Sequence, residues 1–178
     1  MITATIQNGA YPHSQLINLT FPINEEAMME KLGEIGINDS NIASCHVVKI
    51  SGKVPALCVL ENNCINADEL NYLARRIDSF DNYELAKFQG AIVREGLHTM
   101  KDLINLTFNL HNYTVVTDFS NLKIIGSKHY LDKNIGCPVS EMEKLDLEAM
   151  GRKLLSSGDG KITPYGVVFC NRLPSTII

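Results

Sequence analysis

No apolar run in this sequence approaches the roughly 20 residues that a bilayer-crossing helix needs, so no membrane span is expected. The N-terminal stretch MITATIQNGAYPHS has no basic region leading into an apolar run, and no secretory signal is read there. A disulfide pattern is missing too. Five cysteines are an odd number without framework spacing, which points to free thiols in a reducing, cytoplasmic compartment. Basic surplus is lacking: 16 Lys and Arg stand against 20 Asp and Glu, a net charge of −4. No basic stripe interleaved with aromatics is present to track single-stranded nucleic acid, so direct nucleic-acid binding is not expected.

The usual signatures of catalysis are also missing. There is no G-x-S-x-G, and no cysteine lies in a recognisable nucleophile context. Cys45 adjoins His46, and Cys58 lies six residues before Cys64, but neither spacing matches a zinc finger, knuckle or ribbon. Buried, small, apolar cysteines are the simpler reading. Gly158-Asp159-Gly160-Lys161 resembles a fragment of a phosphate loop, yet it follows a helical pattern and leads into a strand, the reverse of the working order. Gly158 is expected to end that helix. Neither metal, cofactor nor covalent catalysis is expected.

What is present belongs to an ordinary folded protein: 178 residues, 45% apolar and 20% charged, enough to bury a core without staples. The charge is uneven. Residues 1–116 hold 13 carboxylates against 8 cations, and residues 117–178 hold 7 against 8.

The hexapeptide LINLTF occurs twice, at Leu16–Phe21 and Leu103–Phe108, in unrelated flanks. A duplicated unit would align throughout, so context must decide each copy. In the first, Ile17, Leu19 and Phe21 alternate with Asn18 and Thr20, and Pro22 ends a strand. In the second, Met100, Leu103, Ile104, Thr107, Phe108 and His111 share a helical face behind Thr99 and Asp102. Around the first copy, ITATIQN and ASCHVVKI read as strands. Asn24 caps a helix through EEAMMEKLGEIG that stops at Gly36. VPALCVLEN fits either a strand or a short helix begun by Pro55. Asn66 caps a helix whose stripe is Leu70, Leu73 and Ile77, and a second helix runs from near Asp81 to Gly96. YTVVTDF reads as a short strand and NLKIIGSKHYL as a short helix. Ser140–Glu143 reads as a capping box opening a helix or broken helix to Leu155, and ITPYGVVFCN as the last strand, kinked or edge-placed by Pro164 and Gly166. The expected fold class is α+β in small packed subdomains: a ββαβ-like part over 1–62, a helical part over 63–112 and a mixed part over 113–178.

Acidic residues stand out on these helices. Asp68, Glu69, Asp78, Asp81, Glu84 and Glu95 stud the middle, and Glu141, Glu143, Asp146 and Glu148 crowd the later helix. Taken alone they fit dipole complements and solvated surface.

Three longer strings add to this reading. ADELNYLARRIDSFDNYELAKFQGAI, DLINLTFNLHNYTVVTDFSNLKIIGSKHYL and GRKLLSSGDGKITPYGVVFCN resemble the ArdA-type antirestriction proteins of Gram-positive conjugative elements, across about Asn66 to Asn171. That resemblance implies a non-enzymatic, homodimeric DNA mimic. Its carboxylates would stand in for duplex phosphates and occupy the DNA groove of a type I restriction-modification enzyme. The ten acidic residues above would then be partner-binding residues. Carboxylates three or four apart on a helix lie about 5–6 Å apart, comparable with phosphate spacing. A mimic with so small an excess of carboxylates must gather them on one ridge. The rival readings are an interaction module of a mobile element with another protein target, and a small hydrolase built on a spatial Cys-His or carboxylate pair.

Overall fold

The computed structural model describes residues 1–118 and 120–171. Phe119, at the end of YTVVTDF, and the apolar tail Pro174–Ile178 lie outside the described residues. The strands are β1 (Ile2–Asn8), β2 (Ile17–Phe21), β3 (Cys45–Gly52), β4 (Cys64–Ile65), β5 (Tyr113–Val116), β6 (Gly160–Thr163) and β7 (Gly166–Cys170). The helices are α1 (Glu25–Gly33), α2 (Ala67–Asp78), α3 (Asn82–Glu95), α4 (Met100–Phe108), α5 (Leu122–Lys133), α6 (Val139–Met142) and α7 (Leu147–Ser156). Two antiparallel sheets with helices make this an α+β protein. No described helix is long and apolar enough to cross a membrane.

The chain forms two compact units, one of residues 1–81 with 97–107, the other of 82–96 with 108 onward. The segment expected as a helical middle, 63–112, therefore supplies α2 and most of α4 to the first unit and α3 to the second.

The first unit carries the sheet β2-β1-β3-β4. Alternation along β1 and β2 buries Ile2, Ala4, Ile6, Ile17, Leu19 and Phe21 on one face. Met28 and Leu32 of α1 and Leu70, Leu73 and Ile77 of α2 are buried with them. The opposite face is hydroxyl-rich: Thr3 bonds Thr20 at 3.2 Å, and Thr5 donates to Asn18 Oδ1 at 2.7 Å. The ββαβ order is as expected. Pro55–Leu60 resolves the ambiguous stretch as a 3-10 helix with Pro55 in its first turn. Gly36 takes φ +74°, and the Ile37 N–H returns to the Leu32 carbonyl at 3.0 Å, closing α1.

The second unit carries β5-β7-β6. Its core is Val116, Ile125, Val167 and Phe169, with Leu122, Leu154 and Leu155 packed on it. Gly90 lets α3 lie against β7, because a Cβ there would sit 2.5 Å from Val168 Cγ2. α5 and α7 touch backbone to backbone. A Cβ on Gly126 would lie 1.9 Å from the Leu147 carbonyl oxygen, and one on Gly151 2.0 Å from that of Leu122.

The two LINLTF copies adopt different conformations, strand in β2 and helix in α4. The helical copy is turned from its expected face. Met100, Leu103, Leu106 and Thr107 are buried, while Phe108 is 53% exposed and His111 lies beyond the helix. Leu106 wins the inward position because the buried side chains, not the apolar count, orient the helix. The stretch to Leu155 is the broken helix of the two alternatives, but Ser140 does not cap its first piece. It lies inside the four-residue α6, and Asp146 caps α7 by accepting from the Ala149 N–H at 2.9 Å. Pro138 sets the earlier start, its carbonyl receiving the Glu141 N–H at 3.0 Å. ITPYGVVFCN is a hairpin rather than one strand. Thr163 pairs with Gly166 around Pro164-Tyr165, and the Thr163 hydroxyl donates to the Gly166 carbonyl at 2.8 Å. NLKIIGSKHYL extends further than read, into the 12-residue α5. Gly158 takes φ +77° after α7, as its place predicted.

Candidate functional site

Two asparagines organise the acidic side of the first unit. Asn24 accepts from the Glu26 and Ala27 N–H groups at 2.9 and 3.3 Å, so Glu25 and Glu26 occupy the first turn of α1. Asn66 accepts from the Asp68 and Glu69 N–H groups at 2.8 and 3.4 Å, placing those carboxylates in the first turn of α2. Carboxylates there face the positive helix end, which offsets their mutual repulsion. A third asparagine joins the two turns. Buried Asn71 donates to the Ile23 carbonyl and accepts from the Ile23 N–H, both at 2.9 Å. The β2–α1 connection is thereby held against α2. Glu25, Asp68, Asn71, Tyr72 and Arg75 line one shallow concavity of about 200 Å³. Glu25, Glu26, Asp68 and Glu69 are exposed.

The other expected residues fall elsewhere. Asp78 ends α2 and is bound by Lys53 at 3.1 Å, with the N-terminal ammonium at 3.9 Å. The Lys53 hydrogen bond and charge hold its carboxyl below the ordinary range. Asp81 is exposed in the first unit. Glu84, half-buried, and Glu95 lie on α3 in the second unit, where Arg94 reaches Glu95 at 3.3 Å. Glu141 accepts from the Tyr130 hydroxyl at 3.1 Å. Glu143 is exposed. Asp146 spends an oxygen on its own cap, and Glu148 pairs with Arg152 at 3.1 Å. Asp146 and Glu148 share an open concavity of about 500 Å³ with Arg152 and Lys153, so its charge is mixed. The contrast between units is plain in sequence terms. Residues of the first unit hold 11 carboxylates against 6 cations, and those of the second hold 9 against 10. The acidic excess belongs to the first unit.

Glu25 and Glu26 were not among the expected site residues. Their signal was the Asn-capped acidic turn they share with Asp68 and Glu69, but adjacency of the two turns comes from Asn71 and the sheet.

Among the described residues no group of three or more His, Cys, Asp or Glu could hold a metal. Cys45 is buried, and burial pushes its thiol up to about 12. Cys64 is exposed, opposite His46 across the β3–β4 pair. No protein-family model matches this sequence, and no curated protein matches it.

One buried group will report on pH. His129 of α5 is 8% exposed, its ring 4.9 Å from that of Phe169, and its Nδ1 has no hydrogen-bond partner. Burial, helped by Lys133, lowers its pKa. The neutral form is therefore favoured on folding. The second unit is expected to hold full stability above the unfolded-state value near 6.5 and to lose it as pH falls through that value toward the lowered one. Chemical denaturation of His129→Phe against wild type between pH 7.5 and 5 checks this. The variant should lack the acid-side decline. An equal decline in both would assign it to other groups.

Proposed function

We propose that this chain is an ArdA-like antirestriction protein: a non-enzymatic, cytoplasmic DNA mimic that binds and inhibits a type I restriction-modification enzyme. The observation that carries the reading is the pair of cap-fixed acidic turns, Glu25-Glu26 and Asp68-Glu69, exposed side by side on the unit with the acidic excess. The reading's support from sequence is the resemblance of residues 66–171 to the antirestriction family, a stretch that contains Asp68 and Glu69 but not Glu25 and Glu26. Such a surface would be attracted to a basic DNA-binding groove, and its binding would weaken with salt. Asp78 contributes less field than its neighbours because Lys53 neutralises it.

A second reading has its own observation. Ile135 and Val139, before and within α6, are 95% and 72% exposed. Large exposed apolar side chains suit an interaction module with a different protein target.

The test is inhibition of a purified type I restriction enzyme. Wild-type protein should inhibit, less at higher salt. The Glu25→Gln/Glu26→Gln/Asp68→Asn/Glu69→Gln variant should need about tenfold or more protein for the same effect. Asp78→Asn should change it less. A quadruple variant as potent as wild type would sink the ridge. A wild-type protein that never inhibits would sink the antirestriction reading and favour the interaction module.

A further inference from the structure

Large apolar side chains exposed singly are ordinary, but an exposed group of them marks a face that something covers. In the second unit three such side chains recur at four-residue steps: Leu131 in the last turn of α5, Ile135 after it and Val139 in α6 are all exposed. The Tyr130 hydroxyl donates to Glu141 at 3.1 Å and ties α6 to that same last turn. The described chain ends beside this face. The Asn171 N–H donates to the Asn112 carbonyl at 2.7 Å, and the Asn171 side-chain amide donates to the Thr114 hydroxyl at 2.8 Å. The Thr114 hydroxyl in turn donates to the Asp132 carboxylate of α5. Asp132 adjoins Leu131 and is three residues from Ile135, a span of at most about 11 Å.

We infer that this face is a docking site for the chain's own residues 172–178, RLPSTII, which lie outside the described residues. Leu173, Pro174, Ile177 and Ile178 supply apolar side chains, and Arg172 is the one charged side chain of the segment. The match is one of polarity: an apolar segment on an apolar face removes both from water. Reach is sufficient. Seven residues span up to about 25 Å, more than the distance from Asp132 to Ile135 requires. A segment tethered so near its site meets it at an effective concentration on the order of millimolar, so it takes the face ahead of a scarcer free partner of equal affinity. The proposal rests on neither reading of the function. Under the interaction-module reading, the segment has to leave Ile135 and Val139 before another protein docks there.

The chain contains no tryptophan, so Ile177→Trp installs a single fluorophore in the full-length protein. Its emission should be blue-shifted against the same variant unfolded in denaturant, and acrylamide should quench it several-fold less. Adding Ile135→Asp/Val139→Asp should abolish both the blue shift and the protection. Both positions are exposed, so the fold should survive, and circular dichroism checks that it does. Adding Ile162→Asp instead, at an exposed apolar position on β6, should change neither signal. Solvent-like emission from Ile177→Trp alone would overturn the proposal and leave the face to a partner protein. Protection that survives the aspartate pair would overturn it by seating the segment elsewhere. Protection that rises with protein concentration would overturn it in favour of a second copy as the occupant.

Discussion

Replacing Gly126 by alanine is expected to destabilise the second unit by about 3 kcal/mol, the upper part of the range for overpacking. The reason is the 1.9 Å separation between the added Cβ and the Leu147 carbonyl oxygen. The obstacle is backbone, so no rotamer change relieves it. α5 and α7 must move apart, and Leu122, Leu154 and Leu155 move with them off Val116, Ile125, Val167 and Phe169. The better helix propensity of alanine returns at most about 1 kcal/mol. Gly151→Ala meets the Leu122 carbonyl at 2.0 Å and should cost about as much. Once one substitution has parted the helices, the second has less to displace. The double variant should therefore fall short of the sum of the singles. Thermal unfolding followed by near-ultraviolet circular dichroism measures all three. Single variants within about 0.5 kcal/mol of wild type would show that the crossing has room to spare.

Asn71→Leu is expected to cost the first unit about 2 kcal/mol, because it strands the half-buried N–H and C=O of Ile23 while nearly keeping side-chain volume. Arg75 lies 3.5 Å from the same carbonyl and compensates only in part. The β2–α1 connection loses its clamp on α2, and Glu25 its fixed place beside Asp68. Denaturant unfolding should show the loss. Under the antirestriction reading, inhibition should weaken too, although Asn71 carries no charge. A leucine variant as stable as wild type would mean that packing, not the paired hydrogen bonds, holds the connection.

Short-range physics was legible without coordinates. The Asn24 and Asn66 caps, the strand at Ile17–Phe21, the helix over Leu103–Phe108 and the glycine stops at 36 and 158 each depend on residues within a turn or two. Misreadings came where two local signals competed. Ser140–Glu143 has the letters of a capping box, but Pro138 begins the helix earlier and Asp146 caps the next one. Pro164 and Gly166 read locally as a kink or an edge position, and they instead bracket a hairpin turn. The face of α4 was misjudged because Phe108 counts as apolar in sequence yet is 53% exposed in the fold.

For the acidic site the division is similar. The sequence alone determined which turns are acidic and which asparagines cap them, because a cap reaches only two or three residues along the chain. Which acidic turns meet was decided by tertiary structure. Asn71 lies 48 residues from Ile23, and no periodicity relates them. Folding likewise decided that Asp78 is neutralised by Lys53, 25 residues away, and that Gly126 and Gly151 are places where two backbones touch. Contacts of this kind depend on how buried faces pack, and close packing is a property of the assembled core that no local stretch encodes.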